Sequence, residues 1–149
     1  MSVKTSGAAA GVCVLLFTSS ASANWQFTTW GMTPAQVIAK SAGRAVDFSD
    51  ASIGAGQTLF PKLSMPYSSG NFSFTAVFKF DASNRLGNVT LKLVGGDPQM
   101  LRSAMTQKYG KPQSDHFGMQ QWLSKGDQII LMDDEILYSP SVNKDNSGL

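Results

Sequence analysis

The sequence predicts an α+β domain. It would be an antiparallel sheet of about five to six strands with two short helices packed on one face, in the order αβββαββ(β). Three observations lead there. Two helix starts are fully specified, at Thr33-Pro34 and Asp97-Pro98. Residues 72 to 80 (FSFTAVFKF) alternate apolar and polar with period two, the mark of a half-buried strand. Polar turn clusters, SSGN, DASN and SKGD, separate the further alternating runs.

The elements follow in chain order. Thr33 is an N-cap with Pro34 at the first helical position, and Gln36 completes a capping box. Met32 and Val37 are spaced as a hydrophobic staple, and Gly43 ends the helix. Trp30, just before it, is placed to plug the edge of the core. Residues 49 to 56 (SDASIGAG) read as a loop. Residues 58 to 67 (TLFPKLSMPY) put Leu59, Leu63, Met65 and Tyr67 on one side; Pro61 and Pro66 make this an edge strand, since neither can donate to a ladder. Residues 72 to 80 and 85 to 94 complete a meander. Gly87 is placed as a bulge, because Leu86 and Val89 are three residues apart.

Gly95-Gly96 divides the chain. Asp97 caps a second helix whose stripe is Leu101, Ala104, Met105 and Tyr109, with Gly110 and Pro112 as stops. Residues 116 to 123 (HFGMQQWL), 128 to 132 (QIILM) and 136 to 138 read as three more strands, and residues 139 to 149 as a polar disordered tail. Each half thus offers a cap residue, a proline and an aliphatic residue four after the cap. A degenerate repeat over 30–95 and 97–138 is one explanation, and generic helix-end rules are the other.

The first residues set the destination. Lys4, the apolar run 7 to 17 and Ala21-Ser22-Ala23 have the order of a secretory signal peptide cleaved after Ala23. The apolar run is about half the ~20 residues a membrane-spanning helix needs, so no transmembrane anchor is expected after cleavage. Cys13 is the only cysteine and lies within that segment, so a mature domain of residues 24–138 forms no disulfide. An exported domain without disulfides points to a bacterial periplasm or secretion. The formal net charge is +2 with the charges scattered. That excludes a strong electrostatic footprint for nucleic acid or an anionic membrane.

The segment Gly31-Met32-Thr33-x-x-Gln36-Val37 is similar to the helix start of the SmpA/OmlA (BamE-like) small envelope proteins. Residues 78 to 89, with Phe78-Lys79-Phe80-Asp81, Arg85-Leu86 and Val89, resemble that group's last hairpin. These modules pack helices on a three-stranded antiparallel sheet. They share a wider architecture with the β-lactamase-inhibitor proteins, which repeat it in tandem. The resemblance implies a non-enzymatic role: contact with another envelope or secreted protein, in envelope maintenance or inhibition of a partner.

Motifs for chemistry are sparse. His116, the only histidine, follows Ser114 and Asp115, but catalytic triads assemble in space rather than in adjacent residues. Asp133-Asp134-Glu135 fits a polar turn better than a cation loop, and Gly54-Ala55-Gly56 lacks the lysine of a phosphate loop. The sequence therefore assigns no catalytic residue, no cofactor and no metal. It leaves a partner-binding surface at Phe60, Met65 and Tyr67, beside the proline-marked edge, with closure of the core rim as the competing role. Two functions are open: a protein–protein interaction module, and a small-ligand binder or enzyme whose site is a concave pocket with convergent polar groups.

Overall fold

The computed structural model describes residues 25–50 and 56–141. The expected signal peptide, residues 51 to 55 of the expected loop and the last eight residues lie outside them. Ten elements follow in chain order: α1 (Pro34–Lys40), β1 (Val46–Asp47), β2 (Phe60–Ser69), β3 (Phe72–Phe80), β4 (Leu86–Gly95), α2 (Pro98–Tyr109), β5 (Ser114–His116), β6 (Met119–Ser124), β7 (Asp127–Met132) and β8 (Glu135–Pro140). All eight strands join one antiparallel sheet, ordered β1-β2-β3-β4-β8-β7-β6-β5.

The expectation of five to six strands is corrected to eight. Two strands were missed. β1 is two residues long and carries no pattern to read. The run 116 to 123 is not one strand but parts of two, broken by Phe117-Gly118, which turn with φ of 53° and 79°. The layer of two helices over one face is corrected as well, because the sheet is most of the fold. α1 gives the core one buried side chain, Val37, and α2 gives Leu101 and Met105. Much of the remaining cover is non-helical: Trp25 is buried, and Phe27, Trp30 and Met32 pack against the core. β2 is also not the outermost strand, since β1 pairs with Leu63 and Ser64. That short ladder leaves Pro61 and Pro66 outside it, and both stand in the β2–β3 register, opposite Lys79 and Thr75. Finally, Ser139 and Pro140 belong to β8, in register with Gln128 and Asp127, and not to the expected polar tail.

The two helix starts form as their sequences require. Thr33 Oγ1 accepts from the Gln36 N–H at 3.3 Å while the Thr33 N–H donates to Gln36 Oε1 at 2.9 Å. Asp97 Oδ1 accepts from the N–H groups of Gln99 and Met100 at 2.7 and 3.0 Å. The β3–β4 register skips Gly87, so the bulge forms there. A Cβ at Gly87 would come within 2.7 Å of the Leu59 side chain.

Each half of the chain runs helix, then four antiparallel strands in sequence order. The halves join through their last strands, β4 against β8, antiparallel. Equivalent positions do equivalent work. The residues four after each cap, Val37 and Leu101, are buried, as are those eight after, Ser41 and Met105. One core cluster runs through both halves, from Trp25, Val37 and Phe78 to Leu101, Trp122 and Ile136.

Candidate functional site

The three residues singled out from sequence separate in the structure. Met65 is 2% exposed and belongs to the core, so it offers nothing to a partner. Its cross-strand partner is Ala76, on the buried side of β3. Phe60 is half-buried at the start of β2. Tyr67 is half-buried and packs on the core, with ring contacts to Trp25 and Phe74 and its hydroxyl accepting from Gln26 Nε2 at 2.9 Å. These residues do not make one surface. His116 is exposed at the end of β5, and Asp115 beside it accepts from Gln120 Nε2 at 3.1 Å rather than orienting the imidazole. Among the described residues no group of three histidine, cysteine, aspartate or glutamate side chains is placed to hold a metal.

A different surface stands out. Cross-strand partners share a face of a sheet, and residues two apart in a strand return to it. The pairs Met119–Met132 and Ile130–Leu137 therefore lie on the side of the sheet away from the core, and Leu123 joins them. Leu123 and Met132 are about half exposed, and Met119, Ile130 and Leu137 are partly so. With Gln121 and Gln128 on the same face between them, these residues form a part-exposed, largely apolar strip across β6, β7 and β8.

Phe117 stands at one end of the strip. It precedes Gly118 in the two-residue β5–β6 turn and is fully exposed, at 108% of its reference area. Its φ of 53° is left-handed, a conformation that Asn, Asp or Gly takes at less cost. Arg102 of α2 braces this turn, its Nη2 donating to the Gly118 carbonyl at 2.7 Å. Because Met119 pairs with Met132, the β7–β8 turn with Asp133 and Asp134 lies at the same end. Both carboxylates are exposed, whereas Glu135 is drawn toward Lys92 at 3.5 Å.

On the same side of the first half, Val77, Asn88 and Thr90 are buried. Phe48, Asp50 and Gln57, from the segment between β1 and β2, share a pocket with Val77 and Lys79. Val46 and Val94, on the same side of the first half, are exposed, so neither half is fully covered there.

No protein-family model matches the chain, and no curated protein matches it. Among solved structures it is similar to a DUF4309 family protein, YjgB, from Bacillus subtilis subsp. subtilis str. 168. That likeness has 9% identity and a TM-score of 0.42, over 73% of this chain and 78% of that one.

Proposed function

We propose that the chain is a non-catalytic, exported protein–protein interaction module that docks through the largely apolar strip on β6–β8 and the Phe117 turn. The single observation that carries this reading is Phe117. A phenylalanine with its whole side chain in water and its backbone left-handed gives the isolated fold no return. A partner that buries the ring supplies one, and exposed aromatic anchors are what protein interfaces use most. The partner's matching surface is apolar with basic groups beside it, to meet Asp133 and Asp134 at the end of the strip.

The test is co-purification of the tagged full-length chain from its own cells after light crosslinking, repeated with Phe117→Ser and with Asp133→Lys/Asp134→Lys. The expected result is a stoichiometric partner that is lost with the first variant and weakened by the second. An interface anchor of this kind is worth about 2 kcal/mol or more, a fall in affinity of roughly thirtyfold. Recovery of the wild-type chain alone, or a partner that Phe117→Ser leaves untouched, overturns the assignment.

A further inference from the structure

On the core side of the sheet, where the two halves meet, a second feature is independent of the Phe117 surface. A cleft of about 370 Å³ opens between the N-terminal segment and the end of α2. Tyr67, Tyr109 and Tyr138, all the tyrosines of the chain, line it together with Trp25. The walls are aromatic: the Trp25 and Tyr67 rings meet edge-on at 5.1 Å. The Tyr138 hydroxyl lies 3.4 Å from that of Tyr109. Clefts with apolar walls and a few convergent polar groups at the junction of two units are the usual form of a small-molecule site.

The charges in the cleft are ordered. Asp127, 7% exposed, contributes a carboxylate to the wall. Its Oδ1 accepts from Trp30 Nε1 at 2.8 Å, which fixes the side chain. Lys125 and Lys108 line the same cleft and are themselves exposed. The Lys108 ammonium sits 5.0 Å from the centre of the Tyr109 ring. Asp127 and Lys125 are two residues apart in one hairpin turn, Lys125-Gly126, whose φ values are 52° and 85°. A ligand that meets both must carry its own opposite charges close together.

The geometry points to a small zwitterion with a flat body, of the kind of an aromatic α-amino acid, as the occupant of this cleft. Its ammonium faces Asp127 and the tyrosine hydroxyls, its carboxylate faces Lys125 and Lys108, and its ring lies among Tyr67, Tyr109 and Trp25. A free anion would meet the buried carboxylate and a free cation the two lysines, so each half-ligand is disfavoured by the group that suits the other. Burial raises the Asp127 carboxyl above the ordinary carboxylate range, with the Trp30 bond working against that rise, and a bound ammonium would bring it back down.

The test uses three probes with one body. L-Phenylalanine carries both charges, phenethylamine lacks the carboxylate, and 3-phenylpropanoate lacks the ammonium. Each is titrated into the purified chain by calorimetry and by amide shift mapping. The expected result is a Kd of about 1 mM or tighter for L-phenylalanine, and affinities about tenfold weaker for each of the others. The shifts should centre on Tyr67, Tyr109 and Tyr138. Asp127→Asn keeps an acceptor for Trp30 and should bring L-phenylalanine down to 3-phenylpropanoate. Lys125→Asn, which suits a left-handed residue, should bring it toward phenethylamine. No binding of L-phenylalanine overturns the proposal, and so does equal binding of either single-charge probe. Because the probes read the cleft and not the outer strip, either result leaves the protein-docking assignment to its own test.

Discussion

Phe117 and Asp127 are the two residues whose environments conflict most with their chemistry, and each conflict makes a prediction. Replacing Phe117 by asparagine gives the β5–β6 turn a residue that accepts φ > 0 and removes an apolar ring from water. Stability should rise by about 1 kcal/mol, a few degrees in Tm, while partner binding is lost. Calorimetric melting of the two proteins checks this, and a lower Tm would show that the ring supports the fold. For Asp127 the sign runs the other way from an ordinary paired carboxylate. Its folded pKa lies above the unfolded value of 3.8, so the folded state holds the proton more tightly. The resulting stabilisation is complete below the unfolded pKa and is lost as pH rises through the folded one. Asp127→Asn should abolish that dependence, and at neutral pH it should not weaken the fold. Urea midpoints measured across the acid range for both proteins decide it. Tyr138 adds no titration near neutrality. Burial first, then the neighbouring Tyr109, pushes its phenol far up, and it stays protonated.

At the scale of elements, the caps are where sequence and structure meet most closely. Thr33→Ala removes one acceptor and breaks the reciprocal bond of the capping box. Asp97→Ala removes the acceptor of two N–H groups. Each should cost about 1 kcal/mol, read as a shift of the denaturation midpoint without a change in its slope. Both caps were legible because capping is a local rule: the side chain and the N–H it accepts are two or three residues apart. β3 was legible for a similar reason, since Phe74, Ala76, Phe78 and Phe80 are buried as their alternation requires. The bulge at Gly87 could be read from one misplaced interval. β1 could not be read, because two residues carry no period. The β5–β6 hairpin was hidden because its turn uses Phe117, where turn chemistry favours Asn or Asp; Gly118 was the only local signal. The candidate surface was illegible for a deeper reason. Met119, Leu123, Ile130, Met132 and Leu137 come together only through the register of three strands, and the alternation of residues 116 to 123 does not show where β5 ends and β6 begins. Met65 failed as a candidate because the same alternation that placed it on a strand also turned it inward.

The whole molecule is two similar halves that cannot be independent. Each is a helix and a four-stranded meander, and each alone would expose the side of its last strand that now pairs with the other half. The core does not divide either: Trp122 and Ile129 of the second half belong to one cluster with Trp25, Val37 and Phe80 of the first. Trp30 reaches across to Asp127 at 2.8 Å, and Tyr138 of β8 lies in the cleft with Tyr67 of β2. The second half, residues 97–141, is close to the ~40-residue size below which a chain rarely buries enough surface to fold unaided. Residues 25–96 and 97–141 produced separately should therefore each lack dispersed amide resonances. Mixed, they should recover the spectrum of the intact chain, because the β4–β8 ladder and the shared core need no covalent link. If the first half folds alone, the common core is not what holds it. Failure of the mixed halves to recover the spectrum would mean instead that Gly95-Gly96 must tether them for β4 to find β8. The same coupling puts the tyrosine cleft at the seam, so the complemented protein should also regain the response of the three tyrosines to L-phenylalanine, which neither fragment can show by itself.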